Sequence, residues 1–288
     1  MAGGIPDTES PNYVGVKSPD DAVAKVRRVA EAGLEWIAVD DAEKFLPGEL
    51  QALTTAARSY GIRLMGGADR AEELEAILAA GVDTLDISYP DRYPDRLLQR
   101  IRARKEVTVV PIIGYHYRIH AFDLNPRLVE APTNFAFLSP AEKAFVLSTA
   151  KQALEKDGFV ANSRRTYPGL RTKYRQLLAS GVPLAAGTDV GSAAHFHAGA
   201  IWWELNAWHA FGAPPGVALT AATATAARVL RDERAGTLRE GSYADFVLYA
   251  GDPEKRPFDL ARVRAVAKAG ALFVQNGVWV GGGVGPDS

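Results

Sequence analysis

The chain has 288 residues, 47% of them hydrophobic, enough for one large core and a small appendage. Its 33 basic and 34 acidic side chains leave a net charge of −1 with no basic stripe, so neither nucleic acid nor an anionic membrane has an electrostatic footing. It has no cysteine, which excludes disulfides and thiolate metal sites and suits a reducing, cytoplasmic location. No apolar run reaches membrane-span length, and the opening MAGGIPDTESPNYVG lacks the charged and apolar regions of a secretory signal.

Residues 1–17 read as a loop. Residues 18–33, SPDDAVAKVRRVAEAG, predict a helix: Ser18 can cap it, Pro19 takes the first position, acids fill the first turn and Gly33 ends it. LEWIAV (34–39) then reads as a short buried strand. The alternation continues with a helix over 47–61, a strand over 62–67, a helix over 70–81, a strand over 82–88, a helix over 91–105 and a fourth strand over 107–115. This is the spacing of βα units and predicts a parallel sheet.

The rhythm breaks at 116–138, an irregular stretch holding Pro126 and Pro132. A helix over 139–158 opens on a capping box, Ser139 to Glu142. A further helix over 169–181 leads into a fifth strand, 182–189, and two helices follow over 197–212 and 216–230. Beyond a boundary near Arg231 the chain reads as short strands with glycine turns and a hairpin signal at Asn276-Gly277. The expected organisation is a loop (1–17), a (β/α) domain (18–231) and a small β module (232–288).

The stretch PLAAGTDVGSAAHFHAG (183–199) ends a buried strand on Asp189 and places His195 and His197 just behind it. His116 and His120 follow the fourth strand, and His209 is the fifth histidine of the chain. Carboxylate and imidazole donors suit zinc, manganese or iron, so Asp189, His116, His120, His195 and His197 form a possible ligand set. His116 and His120 share a face only if their segment is helical, His195 and His197 only if theirs is extended. Structural readings stand beside these. Asp189 can hydrogen-bond loop amides, His197 can start a helix, and His209 suits a helix C-terminus. Tyr115 and Tyr117 can contact a ligand or simply pack, and Trp202, Trp203 and Trp208 read as core. Glu204 is either a substrate contact or an ordinary helix residue, and Asp40 and Asp41 lie just past the first buried strand.

GTDVGS, FHAGAIWWEL, ALTAATATAARVL, AGTLREGSYADFVLYAGDP and VRAVAKAGALFVQNG run in order over 181–277, and in that order they resemble the amidohydrolase superfamily, in its imidazolonepropionase-like and prolidase-like branch. The resemblance implies a TIM-barrel-like (β/α)8 fold with a small β-sandwich and an active site at the C-terminal ends of the strands. It also implies a hydrolase of amide, cyclic amide, dipeptide or ester bonds in which a divalent metal, zinc foremost, activates water. Family ligands are a His-x-His on the first strand, a Lys on the fourth, a His each on the fifth and sixth and an Asp on the eighth. By resemblance Asp189 is that last Asp, a metal ligand and the proton acceptor for the water; His116, His120, His195 and His197 are the remaining ligands on offer. His197 and Glu204, which match family positions, and Tyr115 near the expected mouth are the candidate substrate contacts. Ala38, Gly67 and Ile87 stand where the Lys and the two His belong, and no His precedes His116. Only five barrel-type strands are expected, so the architecture is read as incomplete or modified. The alternative reading is a catalytically degenerate member that binds a ligand, is completed by a homo-oligomer or partner chain, or is the truncated product of a longer gene.

Overall fold

Four parallel strands and the helices between them form the first of two compact units, Met1–Pro111 with Gln176–Leu184. The computed structural model describes residues 2–3, 14–67, 70–87, 91–135, 138–191 and 194–281. A two-residue strand, β1 (Ala2–Gly3), pairs in parallel with β2 (Gly15–Val16). Helix α1 (Pro19–Glu31) starts as expected: the Ser18 hydroxyl accepts from the Asp21 N–H at 3.1 Å, with Pro19 in the first turn. Its buried Ala22 and Val26 lie four apart on one face, and α1 packs against α2 (Glu49–Ser59).

The sheet runs β3 (Trp36–Val39), β4 (Arg63–Gly67), β5 (Thr84–Asp86) and β6 (Thr108–Val110), each strand parallel to its sequence neighbour. The crossovers are α2, α3 (Ala71–Ala80) and α4 (Asp95–Ala103). In β4, Gly66 is needed for packing. A Cβ there would lie 2.8 Å from Cγ2 of Ile77 on α3, so only glycine lets that helix settle on the strand. Among the described residues β3 is an edge and the sheet does not close on itself.

The expected fifth strand is reduced to a single parallel bridge, Val109 to Leu184, in which the Val109 N–H donates to the Pro183 carbonyl at 2.9 Å. Pro183 has no N–H to extend a ladder, and the Ala186 N–H turns instead to the Ala221 carbonyl at 3.0 Å. The expected fourth strand likewise ends at Val110, because Ile112 takes a left-handed conformation (φ 40°) that no strand can accommodate.

The second unit is Ile112–Arg175 with Ala185–Ser288. It is helical where irregular chain was expected. Helix α5 (Gly114–Leu124) occupies the start of the 116–138 stretch, followed by short 3₁₀ turns at Pro126–Glu130 and Pro132–Phe135. Helix α6 (Pro140–Lys156) opens on the expected capping box: the Ser139 hydroxyl accepts from the Glu142 N–H at 3.3 Å and the Glu142 carboxylate from the Ser139 N–H at 2.8 Å. Helix α7 (Gly158–Ser180) begins eleven residues before the expected start at Gly169 and runs through Pro168. Its cap is Asp157, which accepts from the Phe159 and Val160 N–H groups at 2.7 and 3.2 Å.

Helices α8 (Ala200–Phe211), α9 (Pro215–Thr220) and α10 (Ala226–Val229) follow, the last two joined by a wider π turn at Ala221–Thr225. The C-terminal module is an antiparallel sheet in the order β10 (Val278–Trp279), β9 (Ala271–Gln275), β8 (Val263–Lys268), β7 (Phe246–Tyr249), with the Asn276-Gly277 hairpin between β9 and β10 as expected. An aromatic core holds the helices together: Tyr115, Ile119, Phe122, Phe135, Phe196 and Trp203 are buried against one another. None of the described helices is long and apolar enough to cross a membrane.

Candidate functional site

The parallel sheet puts Ala38 in β3, Gly67 at the end of β4 and Ile87 just after β5. These are neighbouring strands, and none of the three side chains carries a donor atom for a metal. The acids nearest to them sit one step further along. Asp40 follows β3, and its carboxylate oxygen lies 3.3 Å from where a Cβ on Gly67 would be. Burial, joined by the like charge of Asp41, holds the Asp40 carboxyl above its usual range. Asp41 itself pairs with Lys44 at 3.1 Å, at an exposed site.

In the second unit α5 faces α7 through two rungs one helical turn apart. His116 Nδ1 shares a hydrogen bond with the Ser163 hydroxyl at 2.8 Å, and the His120 ring stacks on Tyr167 at 4.1 Å. The two histidines therefore do share a helical face, but each is occupied by a different partner. His116 is buried, and burial, with His195 nearby, pushes its pKa down to about 4. His195 is buried too. Its Nε2 contacts the Thr188 carbonyl, which makes that nitrogen the N–H and leaves Nδ1 a bare acceptor. Nδ1 is enclosed with no hydrogen-bond partner. Burial lowers the His195 pKa to about 4, with the Thr188 bond opposing and Arg118 and His197 adding to the fall. Tyr115 stands edge-on to both imidazoles, with ring centroids 5.5 Å from His116 and 5.1 Å from His195. Its hydroxyl is buried without a partner, and burial raises its pKa.

Glu204 is at the centre of the helical layer rather than at its surface. Its carboxylate accepts from the Ile113 N–H at 3.2 Å, from the Gly114 N–H, and from the Trp208 indole N–H at 2.7 Å. It caps the N-terminus of α5 from another helix, where the first N–H groups have no partner of their own. Gly114 makes this possible: a Cβ there would lie 2.7 Å from the Glu204 backbone. Burial raises the Glu204 pKa to about 7 against the pull of these three donors. Trp203 and Trp208 are core, as expected, and His209 lies in the last turn of α8.

Asp189 is exposed and left-handed (φ 45°), on a turn followed by Gly191 (φ 124°). Such strain is tolerated best by Asp, Asn and Gly, and it concentrates at functional positions. His197 is exposed as well, its carbonyl accepting from the Ala200 N–H at 3.3 Å at the start of α8. Among the described residues no three His, Cys, Asp or Glu side chains gather as a metal-binding group. Asp189, His116, His120, His195 and His197 are thus not assembled into one centre. The missed residue is Arg118, buried beside this cluster; its place four before Phe122 on an unrecognised helix was the available signal.

The model of the amidohydrolase family matches residues 17–283, and the chain belongs to that family. A search of curated proteins finds no match. Among solved structures the fold is similar to that of a Xaa-Pro dipeptidase with bound methionine (22% identity, 93% of this chain and 61% of that one, TM-score 0.68). It is also similar to an ochratoxinase from A. niger (19% identity, 96% and 60%, TM-score 0.67) and to phenylurea hydrolase B (17% identity, 89% and 57%, TM-score 0.67). The chain spans about three fifths of the length of these relatives.

Proposed function

We propose that the protein hydrolyses a C–N bond (amide, cyclic amide or dipeptide) or an ester in the cytoplasm, with Asp189 as the base that orients and deprotonates the attacking water. The observation that carries this reading is Asp189 itself, strained and solvent-facing within a family match that spans nearly the whole chain. Hydrolase names among the structural neighbours support the reaction class. The described donors do not fit a zinc site, and the role given to Asp189 does not call on one. His197, eight residues further along the chain and also exposed, is the imidazole assigned to contacting substrate.

The test is a screen of dipeptides, N-acyl amino acids, cyclic ureides and aryl esters, followed by Asp189→Asn. Loss of about 100-fold or more in kcat/KM is expected from removing a general base; undiminished turnover in Asp189→Asn rules the assignment out. A second reading, a ligand-binding or partner-completed subunit, is favoured by the donor-free side chains of Ala38, Gly67 and Ile87. It predicts no turnover in any part of that screen.

A further inference from the structure

The C-terminal module is a single four-stranded antiparallel sheet, and its register sorts the paired side chains onto two faces. Val247, Val266, Val274 and Trp279 line up on one face, flanked along β8 by the exposed Arg264 and Lys268. The other face holds two rows. Phe246, Ala267 and Leu272 form the first, and Leu248, Ala265, Gln275 and Val278 the second. No side chain in either row is charged.

An antiparallel sheet with one wet side normally buries its apolar face and turns its charges to water. Here the uncharged face is the exposed one. Phe246 is 41% exposed, Leu248 57%, Leu272 44% and Val278 63%. On the face with the two cations Val274 is buried, and Val266 and Trp279 are half-buried. Large apolar side chains gathered at such exposure, with no charge among them, mark an interaction surface. The patch also has relief: Ala265 and Ala267 make β8 a trough between the larger side chains of β7 on one side and of β9 and β10 on the other.

One sheet is one layer. A β-sandwich needs two, with apolar faces together about 10 Å apart and strands within about 30° of alignment. Two features point to a second copy of this chain as the other layer. A twofold axis sets a surface against itself, so a face with charges near the axis repels its own copy; this face has none. The relief is self-complementary as well. With the axis parallel to the strands and between β8 and β9, Leu272 stands over Ala267 of the partner subunit and Val278 over Leu248 of the partner subunit, and each contact occurs twice.

We propose that the uncharged face of the C-terminal sheet is the interface of a homodimer, in which two copies pack sheet on sheet into one symmetric β-sandwich. Four strands about 4.8 Å apart and about five residues long cover roughly 300 Å² in projection. That is a small area beside the about 800 Å² per partner of a standard interface, so the dimer exchanges with monomer at micromolar concentration.

Sedimentation velocity of the full chain from about 5 to about 300 µM covers the range in which so small an interface exchanges. A concentration-dependent equilibrium of monomer and dimer is expected. Leu248→Lys and Val247→Lys form a matched pair, adjacent on one exposed strand and on opposite faces. Leu248→Lys puts an ammonium against apolar side chains of the partner and should raise the dimer Kd about tenfold or more. Val247→Lys should leave it unchanged. Far-UV circular dichroism and Tm check that each variant folds. If Leu248→Lys does not fold, Leu272→Lys is read in its place with the same rise expected; if Val247→Lys does not, Arg264→Glu is the control. A monomer throughout that range overturns the proposal and leaves the face to a different partner. A dimer that Leu248→Lys leaves intact, or that Val247→Lys weakens equally, overturns it too. Association is read without turnover, so this outcome is separate from that of the hydrolase screen.

Discussion

Helix α1 among the βα repeats and helix α5 of the second unit, 13 and 11 residues long, are held at their N-termini by different means. In the first, α1 closes its own first turn with Ser18, three residues from the amide it caps. In the second, α5 is capped by Glu204, about ninety residues away on α8. A local cap costs little to lose and can be replaced by water at an exposed helix end. A remote, buried cap ties the helix start to the packing of another element, and nothing replaces it.

That difference predicts a graded set of responses. Glu204→Ala should have the largest effect, a loss of about 3 kcal/mol in urea unfolding, because it strands the Ile113 and Gly114 N–H groups and the Trp208 indole in a dry interior. A loss no larger than that of a surface cap would remove the distinction between the two regions.

The pH dependence of stability should sharpen it next. His116 and His195 have folded-state pKa values of about 4 against an ordinary 6.5. Their stabilisation is present above 6.5 and is lost as pH falls through 6.5 toward 4, since the unfolded chain takes up the protons first. Glu204 runs the other way. Raised to about 7 from 4.5, its contribution is present below 4.5 and is lost as pH rises through 7. Urea midpoints of His116→Gln should therefore fall less than those of the natural protein between pH 6.5 and 4. Those of Glu204→Gln should fall less between 4.5 and 7. Unchanged slopes in both variants would show that these groups do not titrate as buried residues.

Ser18→Ala should have the smallest effect, about 1 kcal/mol, with no change in the pH profile. A cost near that of Glu204→Ala would mean that α1 too depends on its cap for its packing.

The two regions were also unequally legible. The helices α1 to α4 and the strands between them follow from periodicity and stop signals, because each repeat buries one face and exposes the other. Helix α5 has no such period: Tyr115, His116, Arg118, Ile119 and Phe122 are buried together, and a helix covered on most sides has no polar face to reveal it. The early start of α7 was written in Asp157-Gly158, a cap that stood unread because Asp157 also closes α6. Of the candidate site residues, Asp189 was visible from its motif. The burial of Glu204 was not, since a glutamate in a helix usually faces water.

The sequence by itself determined the family, the parallel βα order, the capping box of α6 and the C-terminal hairpin, all of which rest on residues close together in the chain. Only the tertiary structure decided that Glu204 caps α5, that His116 and His120 take separate partners on α7, and that Arg118 is buried beside the Phe196 and Trp203 rings. Each of these joins groups roughly forty to ninety residues apart, or depends on what surrounds a side chain once water has been excluded. Neither the periodicity of a segment nor its composition records such an arrangement.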